Sequence, residues 1–116
     1  MVDRIKAYIL DFCAYDDEPL HILLSALMDE KLCKKANDAI PILLNLLQEG
    51  LIDCSYHSGR SGDKYRPVEN LKEADLVEQI RILEKYNFTA YPSSAEGGEY
   101  FFKTTDIGLK LIEDSS

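Results

Sequence analysis

Histidine and cysteine are the residues best suited to metal binding or nucleophilic catalysis, and this chain has two of the first and three of the second. His21 and His57 have no Cys, Asp or Glu at metal-ligand spacing, and the HExxH pattern is absent. Cys13, Cys33 and Cys54 are odd in number and form no CxxC pair, whereas metal sites use clustered ligands and disulfide frameworks use even counts. We therefore predict buried or half-buried free thiols, no metal site and a reducing compartment.

The glycine-rich and acidic segments lack the spacing that catalysis needs. "SGRSGDK" (58–64) has two glycines but neither the GxxxxGK[ST] nor the GxGxxG spacing of a phosphate-binding loop. No GxSxG is present, and the acidic runs "DFCAYDDE" and "LIEDSS" are typical of solvated helix ends. The sequence therefore predicts a protein that is not an enzyme and uses no cofactor.

The basic residues are concentrated in the middle third of a chain whose net charge is −8. Residues 1–30 contain seven acids and two bases, and residues 67–116 contain ten acids and five bases. Residues 31–66 contain four acids and six bases. A strongly negative net charge opposes non-specific nucleic-acid binding by the whole surface. Any such binding is therefore expected in this middle third of the chain.

Apolar residues recur at helical spacing in five segments of the chain. The predicted helices cover about residues 2–15, a stretch from Pro19 through Met28, residues 38–49, residues 71–86, and a last helix that begins at Thr105 or Asp106. Gly50 is expected to end the third helix in a left-handed conformation.

Two further segments predict antiparallel β-hairpins. The first (51–68) joins "LIDCSYH" to "YRPV", and Pro67 makes the return strand an edge strand because it has no N–H. The second (88–104) joins "FTAYPS" to "EYFFKT". No Pro/Gly/Ser-rich linker divides the chain. We therefore predict one α+β domain over residues 1–116, with about five helices and two small antiparallel hairpins.

The chain shows no sign of a membrane or secretory segment. Its longest apolar runs, "ILLSALM" and "IPILLNLL", are far shorter than the roughly 20 residues of a membrane-spanning helix. The charged residues among the first twelve do not fit a signal peptide. We therefore expect a cytoplasmic protein without a membrane partner.

Three helices followed by a hairpin, with the third helix ending "LLNLLQEGLI", resemble the winged-helix DNA-binding domains of bacterial regulators of the MarR and PadR kind. The second half of the chain resembles the same pattern, and it carries a T-x-x-G-x-x-L run at Thr105, Gly108 and Leu111. The resemblance covers nearly the whole chain. It implies a non-catalytic regulator whose recognition helix enters the major groove of duplex DNA while a hairpin wing touches phosphates. A regulator of this kind could act as a homodimer.

Two assignments of the recognition helix remain open. In the first it is the third helix (38–49) with the wing at 51–68; in the second it is the fourth helix (71–86) with the wing at 88–104. The fourth helix exposes more acids than bases and would repel phosphates. The positive end of the third helix, preceded by lysines, favours phosphate, so charge favours the first assignment.

The first assignment defines the candidate DNA-binding residues. Three lysines near the start of the third helix would contact phosphate, two asparagines would meet base edges, and three bases would lie along the wing. In that order they are Lys31, Lys34 and Lys35, then Asn37 and Asn45, then Arg60, Lys64 and Arg66. The outward positions of the third helix hold no Arg or Lys, so the usual contact of arginine with guanine has no candidate.

An alternative hypothesis explains directly why the net charge is strongly negative and why the third helix has no arginine. In it, the same fold is a protein–protein interaction module that does not bind DNA. Its acidic surfaces, in residues 1–30 and 67–116, would face a basic protein partner.

Overall fold

The computed structural model describes residues 3–89 and 98–115, and it has the predicted α+β class. Its five α-helices are α1 (Arg4–Phe12), α2 (Leu20–Asp29), α3 (Ile40–Gln48), α4 (Glu73–Glu84) and α5 (Asp106–Ser115). Its four strands are β1 (Glu18–Pro19), β2 (Ile52–His57), β3 (Arg66–Val68) and β4 (Glu99–Thr104). Within the described ranges, no helix has the length and apolar character needed to cross a membrane.

The four strands form one antiparallel sheet in the order β1-β4-β2-β3. β2 and β3 make the first predicted hairpin, in which Cys54 lies opposite Val68 and Tyr56 opposite Arg66. Among the described strands, β3 pairs only with β2, which confirms the edge position that Pro67 predicts.

β4 occupies the centre of the sheet, between β1 and β2. It pairs with β2 from the Ile52–Thr104 pair to the His57–Glu99 pair, and with β1 on its other side. In the second predicted hairpin (88–104), β4 was expected to pair with the segment just before it. Residues 90–97 of that hairpin lie outside the described residues, and the described partners of β4 come from far earlier in the chain.

Two of the helices begin later than the periodicity predicts, and in each case an aspartate accepts hydrogen bonds from backbone N–H groups that precede the helix. The Asp38 carboxylate accepts hydrogen bonds from the backbone N–H groups of Lys34 and Lys35 (3.1 and 3.0 Å), and a 3₁₀ turn, Ala36–Ala39, precedes α3. Likewise, Asp75 accepts from the N–H of Lys72 at 2.9 Å, so α4 begins at Glu73.

One hydrophobic core joins the first four helices to the two central strands. Its largest fully buried side chain is Phe102 on β4. The predicted free thiols are confirmed, since Cys13, Cys33 and Cys54 are all buried and unpaired. Leu111 of α5 packs against this core from one side.

The T-x-x-G run fastens α5 to the turn that follows α3. The hydroxyl of Thr105 donates to the carbonyl of Gly50 at 2.7 Å, and the N–H of Gly108 donates to that same hydroxyl at 3.1 Å, which caps the helix. Gly50 has a φ of +74°, the left-handed conformation that the sequence predicts. A Cβ atom on Gly108 would lie 2.3 Å from the carbonyl oxygen of Leu51, so only glycine permits this contact.

Replacing Gly108 by Ala should destabilise the protein by about 2 kcal/mol or more, because the backbone of Leu51 would have to move. This loss should exceed the roughly 0.5–1 kcal/mol that alanine contributes as a better helix former. Urea unfolding followed by circular dichroism measures the change. The exposed control Lys110→Ala, on the same helix, should stay within about 0.5 kcal/mol of the wild type. Equal stability of all three proteins would contradict the tight contact.

Candidate nucleic-acid interface

The tip of the β2–β3 hairpin, residues 57–66, is folded by its own polar side chains. The N–H of Gly59 donates to Nδ1 of His57 at 3.0 Å, so Nε2 carries the ring proton and donates to the carbonyl of Asp63 at 2.9 Å. The hydroxyl of Ser58 donates to the Asp63 carboxylate and accepts from the N–H of Arg60 at 3.2 Å. The hairpin tip therefore has a defined shape on which its charged side chains are mounted.

The three bases of the hairpin tip face solvent. Arg60, Lys64 and Arg66 are exposed, and none of them forms an ion pair among the residues that the structure describes. The Arg66 guanidinium lies 5.9 Å from the centre of the Tyr56 ring, an arrangement that restrains it without neutralising it. Asp63 is the one acid of the segment. The tip thus presents a net positive surface on an acidic protein.

The lysines before α3 are exposed, but their surroundings are less favourable to phosphate than the sequence indicates. Lys31, Lys34 and Lys35 form no ion pair within the described ranges. The backbone N–H groups of Lys34 and Lys35, however, already donate to the carboxylate of Asp38. This carboxylate takes the position at the start of the helix that an anion would otherwise occupy. Contact with a phosphate would therefore depend on the exposed lysine side chains and not on these two N–H groups.

The outward face of α3 is crossed by a side chain that the sequence pattern does not reveal. Nζ of Lys6, on α1, donates to the amide oxygen of Asn45 and forms an ion pair with Glu49 at 3.1 Å. Reading adenine takes both the oxygen and the nitrogen of an asparagine amide, so Asn45 is poorly placed to do it alone. Asn37 is exposed and free of this constraint. Lys6 adds one base to the face, although Glu49 neutralises it.

The second assignment of the recognition helix is not supported by the charges of α4. The exposed face of α4 carries Glu73, Glu78 and Glu84, and its Arg81 donates to the Glu78 carboxylate at 2.6 and 3.0 Å. That hydrogen bond lowers the pKa of Glu78, which keeps it ionised. The turn of the second wing lies in residues 90–97, outside the described residues.

His21 and Glu99 form a buried polar pair that joins the start of α2 to β4. Glu99 accepts a hydrogen bond from the backbone N–H of His21 at 2.6 Å, and its carboxylate contacts Nδ1 of the ring at 2.8 Å. The side chain of Glu99 is 1% exposed and that of His21 is 7% exposed. Burial raises the pKa of Glu99, and the hydrogen bonds from His21 only partly oppose the rise. The pair caps the start of α2 and holds it to β4.

Burial makes the thiols of the three cysteines weak acids, which disfavours the thiolate form that acts as a nucleophile. Burial raises the pKa of Cys13 and of Cys54 to about 12, so both thiols are protonated at neutral pH. Among the described residues, no group of three or more His, Cys, Asp or Glu side chains is placed to hold a metal ion.

An open cleft of about 830 Å³ lies between α3, the first hairpin and the chain that follows β3. Half-buried leucines of α3, Leu44 and Leu47, line one side of it. Carboxylates of Asp17, Asp53 and Glu69 also line the cleft. The cleft is thus partly apolar and negatively charged, in contrast to the hairpin tip beside it.

The fold and these surfaces define the class of the molecule as an α+β protein with a basic hairpin and a separate acidic cleft. No protein-family model, no curated protein and no solved structure matches the chain. Its function is therefore inferred from its own geometry.

Replacing Glu99 by Gln should change how stability depends on pH, because glutamine keeps an oxygen acceptor for His21 but cannot ionise. A carboxyl whose folded pKa is raised stabilises the protein fully below its ordinary value of 4.5 and loses that contribution as the pH rises through the raised pKa. The unfolding free energy of the wild type relative to Glu99→Gln should therefore fall as the pH rises across that interval. Urea unfolding of both proteins at a series of pH values measures it. A difference that stays constant from acid to neutral pH would contradict the raised pKa.

Proposed function

We propose that the protein is a non-catalytic, winged-helix-like DNA-binding domain, of the kind found in transcriptional regulators, and that it holds duplex DNA mainly by the phosphates. The observation that carries this proposal is the folded hairpin tip with three exposed bases and no ion pair among the described residues. Basic side chains fixed on a projecting hairpin are suited to the closely spaced phosphates of a duplex.

The order of the elements supports the wing role of this hairpin. Three helices, α1 to α3, precede the β2–β3 hairpin, as the winged-helix resemblance implies. The chain between α2 and α3 carries Lys31, Lys34 and Lys35, which gives a second group of exposed bases. The three free thiols suit the reducing cytoplasm in which such a regulator would act.

Base reading by α3 has weaker support than phosphate contact. α3 has no arginine, Asp38 and Glu49 flank its two ends, and the amide oxygen of Asn45 accepts a hydrogen bond from Lys6. We therefore propose low sequence selectivity and binding that weakens steeply with salt. If all six bases contact phosphate, the slope of log affinity against log salt should be no steeper than about −5.

A second candidate function, an interaction module for a basic protein, is favoured by the acidic cleft. Its carboxylates from Asp17, Asp53 and Glu69 face the same opening as the leucines of α3. In this alternative the partner would bind whether or not the hairpin bases are present. A homodimer would be compatible with either function.

Replacing Arg60, Lys64 and Arg66 together by Ala should weaken binding of a mixed-sequence duplex by roughly 100-fold in low salt. The salt slope should become shallower by about 3, because three phosphate contacts are lost. Fluorescence anisotropy of labelled duplex over a range of salt concentrations measures both quantities.

A matched control removes three exposed lysines outside the interface, Lys72, Lys85 and Lys110, and changes the net charge equally. At about 0.1 M salt, where the Debye length is about 10 Å, this control should keep its affinity within about threefold, because its lysines lie outside the interface and their charges are screened. The proposal fails if the wild type shows no binding at tens of micromolar, or if both triple variants weaken binding to the same extent.

A further inference from the structure

We infer that the cleft between α3 and the first hairpin is the docking site for a basic, amphipathic helix of a partner protein. This inference develops the second candidate function and is independent of DNA binding by the hairpin tip. It rests on three properties of the cleft: its uncovered apolar side chains, its uniform negative charge, and an edge strand that cannot accept another strand.

The apolar side chains of the cleft are left without cover by the protein's own core. Ile40, Leu43 and Leu46 form the buried side of α3, whereas Leu44 and Leu47 are only half-buried and line the cleft. On the opposite wall, Val68 and Leu71 are also half-buried and belong to the margin of the core. These side chains form two apolar walls that a third element could enter. The volume of about 830 Å³ lies within the roughly 300–1,000 Å³ typical of ligand sites.

The charges around the cleft select a cationic occupant. Asp17, Asp53 and Glu69 are exposed carboxylates on its lining, and no Lys or Arg lines it. Lys103 is the cross-strand neighbour of Asp53 but forms no ion pair with it. Arg66 lies over Tyr56, which is not part of the cleft lining. Complementary charge would therefore steer a basic partner into this cleft and disfavour an acidic one.

The edge of the sheet beside the cleft favours a helix over a strand as the occupant. β3 is three residues long, and Pro67 at its centre has no N–H to offer an added strand. An occupant must therefore be held by its side chains, as a helix is when its apolar residues at i, i+3, i+4 and i+7 enter a groove.

A labelled helical peptide of roughly 15 residues tests the inference, with leucines on one face and lysines and arginines on the other. The intact wild-type protein should bind it in low salt, as measured by fluorescence anisotropy. The double variant Asp53→Asn, Glu69→Gln should bind it about fivefold more weakly, because two rim charges are removed. The control Asp114→Asn, Glu84→Gln removes two exposed acids of the same types outside the cleft and should bind as the wild type does.

Two further comparisons separate this inference from DNA binding and from general charge attraction. The variant lacking Arg60, Lys64 and Arg66 should keep its affinity for the peptide, even if DNA binding is lost or never observed. A scrambled peptide of the same composition, with its leucines spread around the helix, should bind more weakly than the amphipathic one.

Several outcomes would overturn the inference. They are the absence of peptide binding, equal binding of the scrambled peptide, and equal weakening by the cleft and control variants. Concentration-dependent dimerisation of the protein that Leu47→Asp abolishes, as measured by sedimentation, would assign the cleft to a second copy of the chain.

Discussion

Two adjacent threonines at the end of β4 hold together segments that are distant in the chain, and the remaining architecture depends on this junction. The hydroxyl of Thr104 donates to the carbonyl of Leu10, 94 residues away, and its N–H donates to the carbonyl of Cys13. Thr105 donates from its N–H to Leu51 and from its hydroxyl to Gly50. The end of α1, the turn after α3 and the start of α5 therefore meet at one point. These bonds satisfy carbonyls at the ends of two helices that would otherwise be buried without a donor.

A second set of polar contacts fixes the other end of β4. Glu99 caps α2 through His21, and the buried amide of Gln79 on α4 bonds to Gly98 and Tyr100 at 3.1 and 2.8 Å. Each contact specifies a position, because a shifted strand would leave a buried polar group without a partner. The core supplies most of the stabilisation through apolar burial, whereas these side chains determine the register in which β4 enters the sheet.

The local features of the fold could be predicted from the sequence, and the long-range ones could not. Apolar periodicity indicates the five helices, Gly50 marks the end of the third, and Pro67 indicates an edge strand. Each of these depends on neighbouring residues. The placement of β4 depends instead on partners far away in sequence, and no alternation pattern specifies which strand another one joins.

The candidate site shows the same division. The charge distribution indicates that the hairpin carries the exposed bases, and the structure places Arg60, Lys64 and Arg66 in solvent as expected. The contact of Lys6 with Asn45 was not predicted, because it depends on how α1 packs against α3. The cleft was missed because helical periodicity does not show which apolar residues of a helix border an opening.

The central position of β4 has a consequence for how the chain acquires its structure during synthesis. β4 begins at Glu99 in a chain of 116 residues, yet β1 and β2 both need it as their neighbour. Until β4 has been synthesised, β1 lacks the strand with which it pairs, and Phe102 is missing from the core. The helices and the first hairpin form before β4 is available and leave apolar surface uncovered, so the sheet closes only after β4 has been synthesised. High contact order of this kind slows folding and makes the incomplete chain a natural client for chaperones.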